Sequence, residues 1–199
     1  MKEFISTRKQ YLKAIARETA RMSYPGRMSG VVEKGTKKAV EEFFVQNFPI
    51  GEVWEGAEQI AGEFDKWHAN RVKQLGRHIE HHNLVKKKQD RAEAIAAKLF
   101  NTYCHQLMKY QPCRPLWNHL HLPLDRRILV ALGRLKRRTH SMALNHVSEI
   151  LKKAPYSLAY REYLQVQHAL ADLILELNAR PHTEVQLKSR IELNLLWAE

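Results

Sequence analysis

The feature that most limits the possible fold is a stripe of apolar residues in the second quarter of the chain. Val53, Trp54, Ala57, Ile60, Ala61, Phe64, Trp67 and Leu75 recur at steps of three and four. That period matches the side of an α-helix turned toward a core. The same period returns in other segments. Residues 2–22 place Phe4, Ile5, Tyr11, Leu12, Ile15 and Met22 largely on one face, and 31–48 carry Val32, Ala39, Val40, Phe43 and Phe44. Further helical segments fall at about 91–110, 124–138, 139–153, 157–178 and 183–197. No segment alternates as a strand does, and no 20–50-residue repeat is present. The expected fold is all-α, a single compact domain of about eight helices over residues 1–199.

The breaks fit this division. "SYPGRMSG" at 23–30 and "FPIG" at 48–51 carry proline and glycine, "QPCRP" at 111–115 stops a helix, and "ARPHT" at 179–183 separates the last two. "NLVKKKQD" at 83–90 is polar and basic, and Asp90 is placed to cap the helix that follows.

Charge narrows the partners. The chain of 199 residues holds 33 Lys+Arg against 21 Asp+Glu, a formal net charge of +12 with 11 histidines in addition. Such a balance points first to a nucleic acid and second to an anionic membrane surface. No apolar run approaches the roughly 18 residues of a membrane span, and the charged N-terminus has no signal-peptide core. Two cysteines, Cys104 and Cys113, make no disulfide scaffold. These features lead us to expect a reduced, cytoplasmic location. No Walker motif, dinucleotide fingerprint or nucleophile elbow is present, and no cofactor is expected.

The stretch His121–Leu129, "HLPLDRRIL", sets one acid between an apolar turn and two arginines. Pro123 fits the first turn of a helix, and Asp125 suits its positive end. In the plainer reading Asp125 caps that helix and pairs with Arg126 or Arg127. The sharper reading starts from the preceding helix, "RAEAIAAKLFNTYCHQLMKY". Its apolar face holds Ile95, Ala96, Leu99, Phe100, Tyr103 and Leu107. Lys98, Asn101 and His105, at i, i+3 and i+7, share another face. Lys98 stands between Ala97 and Leu99, and a partly desolvated ammonium is more readily made a nucleophile. An isolated lysine more often lays its stem on the surface with its head in water.

The segment 96–129, "AAKLFNTYCHQLMKYQPCRPLWNHLHLPLDRRIL", resembles the helix–hairpin–helix DNA glycosylases. In that superfamily a helical lysine precedes, by some twenty to thirty residues, an aspartate in a Val/Leu-Pro-x-Asp context at a helix start. Here Lys98 and Asp125 are 27 residues apart. The resemblance implies that Asp125 is the catalytic aspartate and Lys98 the lysine that forms a Schiff base with the sugar. It implies a DNA-binding monomer that extrudes a damaged or modified base from double-stranded DNA and excises it, in repair or in defence against phage. The family's Gly-rich turn has no counterpart, since 83–98 contain no glycine. Lys86, Lys87 and Lys88 would supply positive charge there, and Arg126 and Arg127 would hold flanking phosphates. Asn101, His105, Tyr103 and Trp117 are the candidates for holding the base. Trp54 and Trp67, on the apolar stripe, read as core.

Two other readings come from histidines. Arg77, His78 and His82 in "RHIEHH" resemble the signature of HEPN ribonucleases, which are also all-α and pair two such motifs in a dimer. The plainer reading is a basic helix end that touches phosphates. Cys104, His105, Cys113, His119 and His121 lie within 18 residues, and His78, His81 and His82 are close together. Neither set has standard zinc spacing, and no metal is expected. A non-catalytic DNA-binding protein remains a further alternative.

Overall fold

The computed structural model describes the backbone of residues 2–23, 30–46, 50–87, 90–180, 186–190 and 192–193. Among the described residues the chain is all-helical, with eight α-helices: α1 Lys2–Ser23, α2 Thr36–Gln46, α3 Ile50–Gly62, α4 Phe64–His81, α5 Ala92–Leu107, α6 Arg126–Thr139, α7 Met142–His146 and α8 Tyr160–Asn178. The only β pairing there is an isolated bridge between Val32 and Val85. None of these helices is long and apolar enough to cross a membrane.

α5 is the central helix. Ile95, Ala96, Leu99, Phe100, Tyr103 and Leu107 are all fully buried, on the face that the sequence marks as apolar. α4 packs along it, and at Gly76 a Cβ would lie 3.3 Å from Glu93 Cγ and 3.4 Å from its Cα. A side chain there would make the Glu93 side chain shift by a few tenths of an ångström.

Several boundaries differ from the sequence expectation. The segment 53–75 is not one helix, because the chain breaks between Gly62 and Phe64 and has a further kink at Gly56. The apolar stripe runs through the break, since both helices face the same core: Phe64 and Trp67 are buried beside Ile60 and Ala61. The second segment becomes helical only at Thr36. Beyond 111 the chain winds on as a 3-10 helix, Gln111–His119. The segment 139–153 divides into α7 and a short 3-10 turn, Ile150–Lys152. Most of 183–197 lies outside the described residues.

The α4–α5 connection is a helical hairpin without glycine. Asn83 takes the left-handed backbone conformation at φ 49°, which Asn tolerates better than most residues. Glu33 N donates to Leu84 O at 2.9 Å and Lys86 N donates to Val31 O at 3.0 Å, so the hairpin is tied to the entry of α2. Asp90 does not cap α5: the N-cap is Arg91, whose side chain makes no capping bond.

Candidate functional site

α6 begins at Arg126, with Asp125 in extended conformation as its N-cap. Pro123 therefore lies two residues before the cap and not in the first turn. Asp125 Oδ1 accepts from the backbone of Arg127 at 2.9 Å and of Ile128 at 3.1 Å. These bonds satisfy two of the N–H groups that a helix start leaves open. Oδ2 points elsewhere and accepts from Lys98 Nζ at 3.5 Å. The carboxylate is thus a cap on one oxygen and the partner of a lysine on the other. Its partner is Lys98, not Arg126 or Arg127, because the cap geometry turns both arginine side chains outward.

Lys98 is held from a second side. Its Nζ donates to Tyr156 Oη at 3.0 Å and lies 5.5 Å from the centre of that ring. Tyr156 sits in a 3-10 turn, Pro155–Ser157, which is fixed to the start of α5: Arg91 N donates to Tyr156 O at 2.7 Å and Arg91 Nε to Ser157 O at 3.0 Å. The Lys98 side chain is only 13% exposed, and that of Asp125 is 34% exposed. A primary amine and a carboxylate therefore meet, both partly buried, between α5 and the start of α6.

The loop that carries Asp125 is clamped. Gln167, fully buried on α8, accepts from Leu122 N at 2.9 Å and donates to Leu122 O at 2.8 Å. Leu120, Leu122 and Leu124 are all buried, so the loop is fixed by packing as well.

One turn along α5 from Lys98, Asn101 joins a buried polar chain. His121 Nε2 lies 2.7 Å from Asp65 Oδ1, and its Nδ1 lies 3.0 Å from Tyr163 Oη. Asn101 Nδ2 donates to Tyr163 Oη at 2.6 Å, and Asn101 Oδ1 lies 2.7 Å from His68 Nε2. His68 Nδ1 lies 2.7 Å from Tyr160 Oη. Burial pushes His121 down to about 4 and lowers His68 as well, so both rings are neutral at pH 7. The His121 hydrogen bond holds Asp65 well below the usual carboxylate range. The donors then follow one order. Tyr160 donates to His68, His68 to Asn101, Asn101 to Tyr163, Tyr163 to His121, and His121 to the ionised Asp65. The Asp65–His121 contact is a neutral imidazole donating to a carboxylate, not an ion pair. The chain ties α4, α5, α8 and the 120–125 loop together.

The other expected site residues are placed as follows. Tyr103 is fully buried and stacks on Phe44 with ring centres 4.0 Å apart, so it is a core residue with no face toward the cleft. Asn101 is committed to His68 and Tyr163. His105 is exposed, two turns from Lys98, with its ring 6.0 Å from Trp117. Trp117 is half-buried and donates from Nε1 to Glu192 at 3.1 Å. His105 and Trp117 thus form a pair of their own. Lys86, Lys87, Arg126 and Arg127 are exposed, and Lys88 lies outside the described residues. Lys86 and Lys87, with Arg91, line a surface cavity of about 540 Å³ at the hairpin. Trp67 is buried and Trp54 half-buried among aromatic neighbours, as the stripe implies.

The histidines at the end of α4 lie together, with the ring centres of His78 and His82 4.5 Å apart and those of His81 and His82 5.2 Å apart. His78 turns inward, 3.2 Å from Ala39 O and packed on Phe43, while Arg77 and His82 are exposed. Five residues of helix turn through about 500°, which separates those two by roughly 140°. Burial raises both thiols, Cys113 to about 11. No group of three or more metal-ligating side chains occurs among the described residues. Comparisons with protein-family models, curated proteins and solved structures return no match.

Proposed function

We propose that this protein is a DNA N-glycosylase in which Lys98 attacks the sugar and Asp125 serves as acid–base partner. The observation that carries the reading is the 3.5 Å approach of Lys98 Nζ to Asp125 Oδ2, with both side chains partly buried at the start of α6. The α4–hairpin–α5 arrangement, with exposed Lys86 and Lys87, supports it. The net charge of +12 supports a DNA partner.

In this reading the target nucleotide is turned out of the duplex. Asp125 takes a proton from the Lys98 ammonium. The freed amine attacks C1′, the C1′–N bond breaks with its electron pair going to the base, and the base leaves as it takes up the proton that Asp125 had accepted, which returns Asp125 to its carboxylate form. The ring then opens to an imine between Lys98 and the sugar, which water returns to lysine and an abasic site. The carboxylate also offsets the positive charge that develops on the sugar in the transition state. Tyr156 keeps the Nζ aimed at the cleft. The substrate is a damaged or modified base in duplex DNA, removed in repair or in defence against phage.

The test is incubation with duplexes bearing a panel of damaged and modified bases, followed by alkali to reveal abasic sites and by borohydride to trap the imine. A borohydride-trapped protein–DNA adduct that is absent in Lys98→Gln is the expected result. No strand break and no adduct across the panel would remove the reading. Cleavage of single-stranded RNA that is lost in His82→Ala would favour a ribonuclease instead.

A further inference from the structure

Helix α6 leads directly away from the Asp125 cleft. Its apolar residues Ile128, Leu129 and Leu132 are buried. Arg126, Arg127, Arg134, Arg137 and Arg138 are exposed, and the 14 residues of the helix include no Asp or Glu. Like charges three and four residues apart repel, as do Arg134 with Arg137 and with Arg138. Some cations elsewhere are balanced by carboxylates on the same helix or at its start: Lys37 with Glu41 and Lys38 with Glu42 in α2, and Lys66 with Glu63 at the start of α4. Among the described residues no carboxylate forms an ion pair with any of the five arginines of α6. Arg126 and Arg127 also stand at the positive end of the helix dipole, where a cation is disfavoured, and an anion outside the chain offsets both this and the repulsion between the arginines.

The spacing says which anion. Arg127, Arg134 and Arg138 stand at i, i+7 and i+11, within about 20° of one line on the helix. At about 1.5 Å per residue they span roughly 16 Å, the axial rise of about five phosphates on one DNA strand. Guanidinium groups match phosphate oxygens two at a time, where an ammonium would act as a point charge. A membrane surface would need an exposed apolar side on the same helix. On α6 that side is turned into the core, and Val130 is its one large exposed apolar residue.

We infer that the arginine face of α6 is a duplex-DNA-binding surface that tracks the phosphate backbone flanking the nucleotide in the cleft. Its place beside the target nucleotide rests on the reading of the Lys98–Asp125 cleft, whereas its affinity for phosphates does not. It extends the DNA footprint beyond the cleft by about half a helical turn of duplex.

The experiment compares the full-length protein with the triple variant Arg134→Gln, Arg137→Gln, Arg138→Gln. These side chains are exposed and lie away from Lys98, so circular dichroism should match and base release at saturating protein should be unchanged. Affinity for a 25-base-pair duplex is measured from about 50 to 200 mM salt. Of the three, Arg134 and Arg138 stand on the phosphate line, so the slope of log K against log salt should fall by at least about 1.8, at about 0.9 per contact. An unchanged slope overturns the inference. So does loss of binding to phosphatidylserine vesicles with DNA binding intact, which would assign the face to a membrane. A reduced slope with no base release by either protein leaves the surface standing while the cleft reading fails. Normal base release with an unchanged slope does the reverse.

Discussion

Asp125→Asn separates the capping role of Asp125 from the catalytic role proposed for it. Asn keeps an oxygen in the Oδ1 position, so the bonds from Arg127 N and Ile128 N survive. Asn also ranks with Asp as an N-cap, so the start of α6 stays formed. The second oxygen becomes an amide donor that faces the donor Lys98 Nζ. Two stabilising effects are lost. The charge at the positive end of the helix dipole contributes about 0.3–1 kcal/mol. A pair with one partner 34% exposed is screened and adds about 0.2–1 kcal/mol. The sum is roughly 1 kcal/mol, or about 2–4 °C in Tm for a chain of this size. Asp125→Ala forfeits the cap as well, about 1 kcal/mol more. Base release should respond differently. Removing the proton acceptor costs about 10²–10⁴-fold in rate, and it should do so equally in the Asn and Ala variants. DNA affinity should hold or rise slightly, because a carboxylate near phosphates repels them. The assay is single-turnover base excision at saturating protein beside a thermal melt. Wild-type excision by Asp125→Asn, with only the small Tm change, would show that this acid is a cap alone.

Two further outcomes follow from the surroundings of the cleft. Gln167→Leu leaves Leu122 N and O buried and unpaired, and at about 1–3 kcal/mol for each unsatisfied group Tm should fall by more than about 5 °C, with excision dropping further as Asp125 loses its position; an unchanged melt and rate would show that the clamp is dispensable. Stability should also fall in mild acid: His121 is lowered to about 4 from 6.5, so the unfolded chain binds more protons in that window and stability rises with pH through it. Between pH 8 and pH 5 His121 alone accounts for about 2 kcal/mol. His68 acts in the same direction, and a Tm that is flat over this range would contradict the neutral assignment of both rings.

The sequence by itself determined the helices, because apolar residues at three- and four-residue steps have no other way to share one core face. It also placed Lys98 on a helix and Asp125 at the start of the next, since both are local statements about period and capping. It did not reveal the break at Glu63, because α3 and α4 bury the same stripe and the period runs through. Nor did it reveal that Asn83 takes the left-handed turn between α4 and α5. That depends on a backbone angle and on bonds to residues 31–33. Tertiary structure alone separated Tyr103 from Lys98, although both stand on α5. Phe44 from another helix stacks on Tyr103 and commits it to the core, while Lys98 meets Tyr156 and Asp125 from two other elements. The network of Asp65, His121, Tyr163, Asn101, His68 and Tyr160 left no local trace, because its partners lie 33 to 92 residues apart. A polar side chain reads the same in sequence whether it ends in water or in another side chain. Only packing removes the water, and with it the alternative.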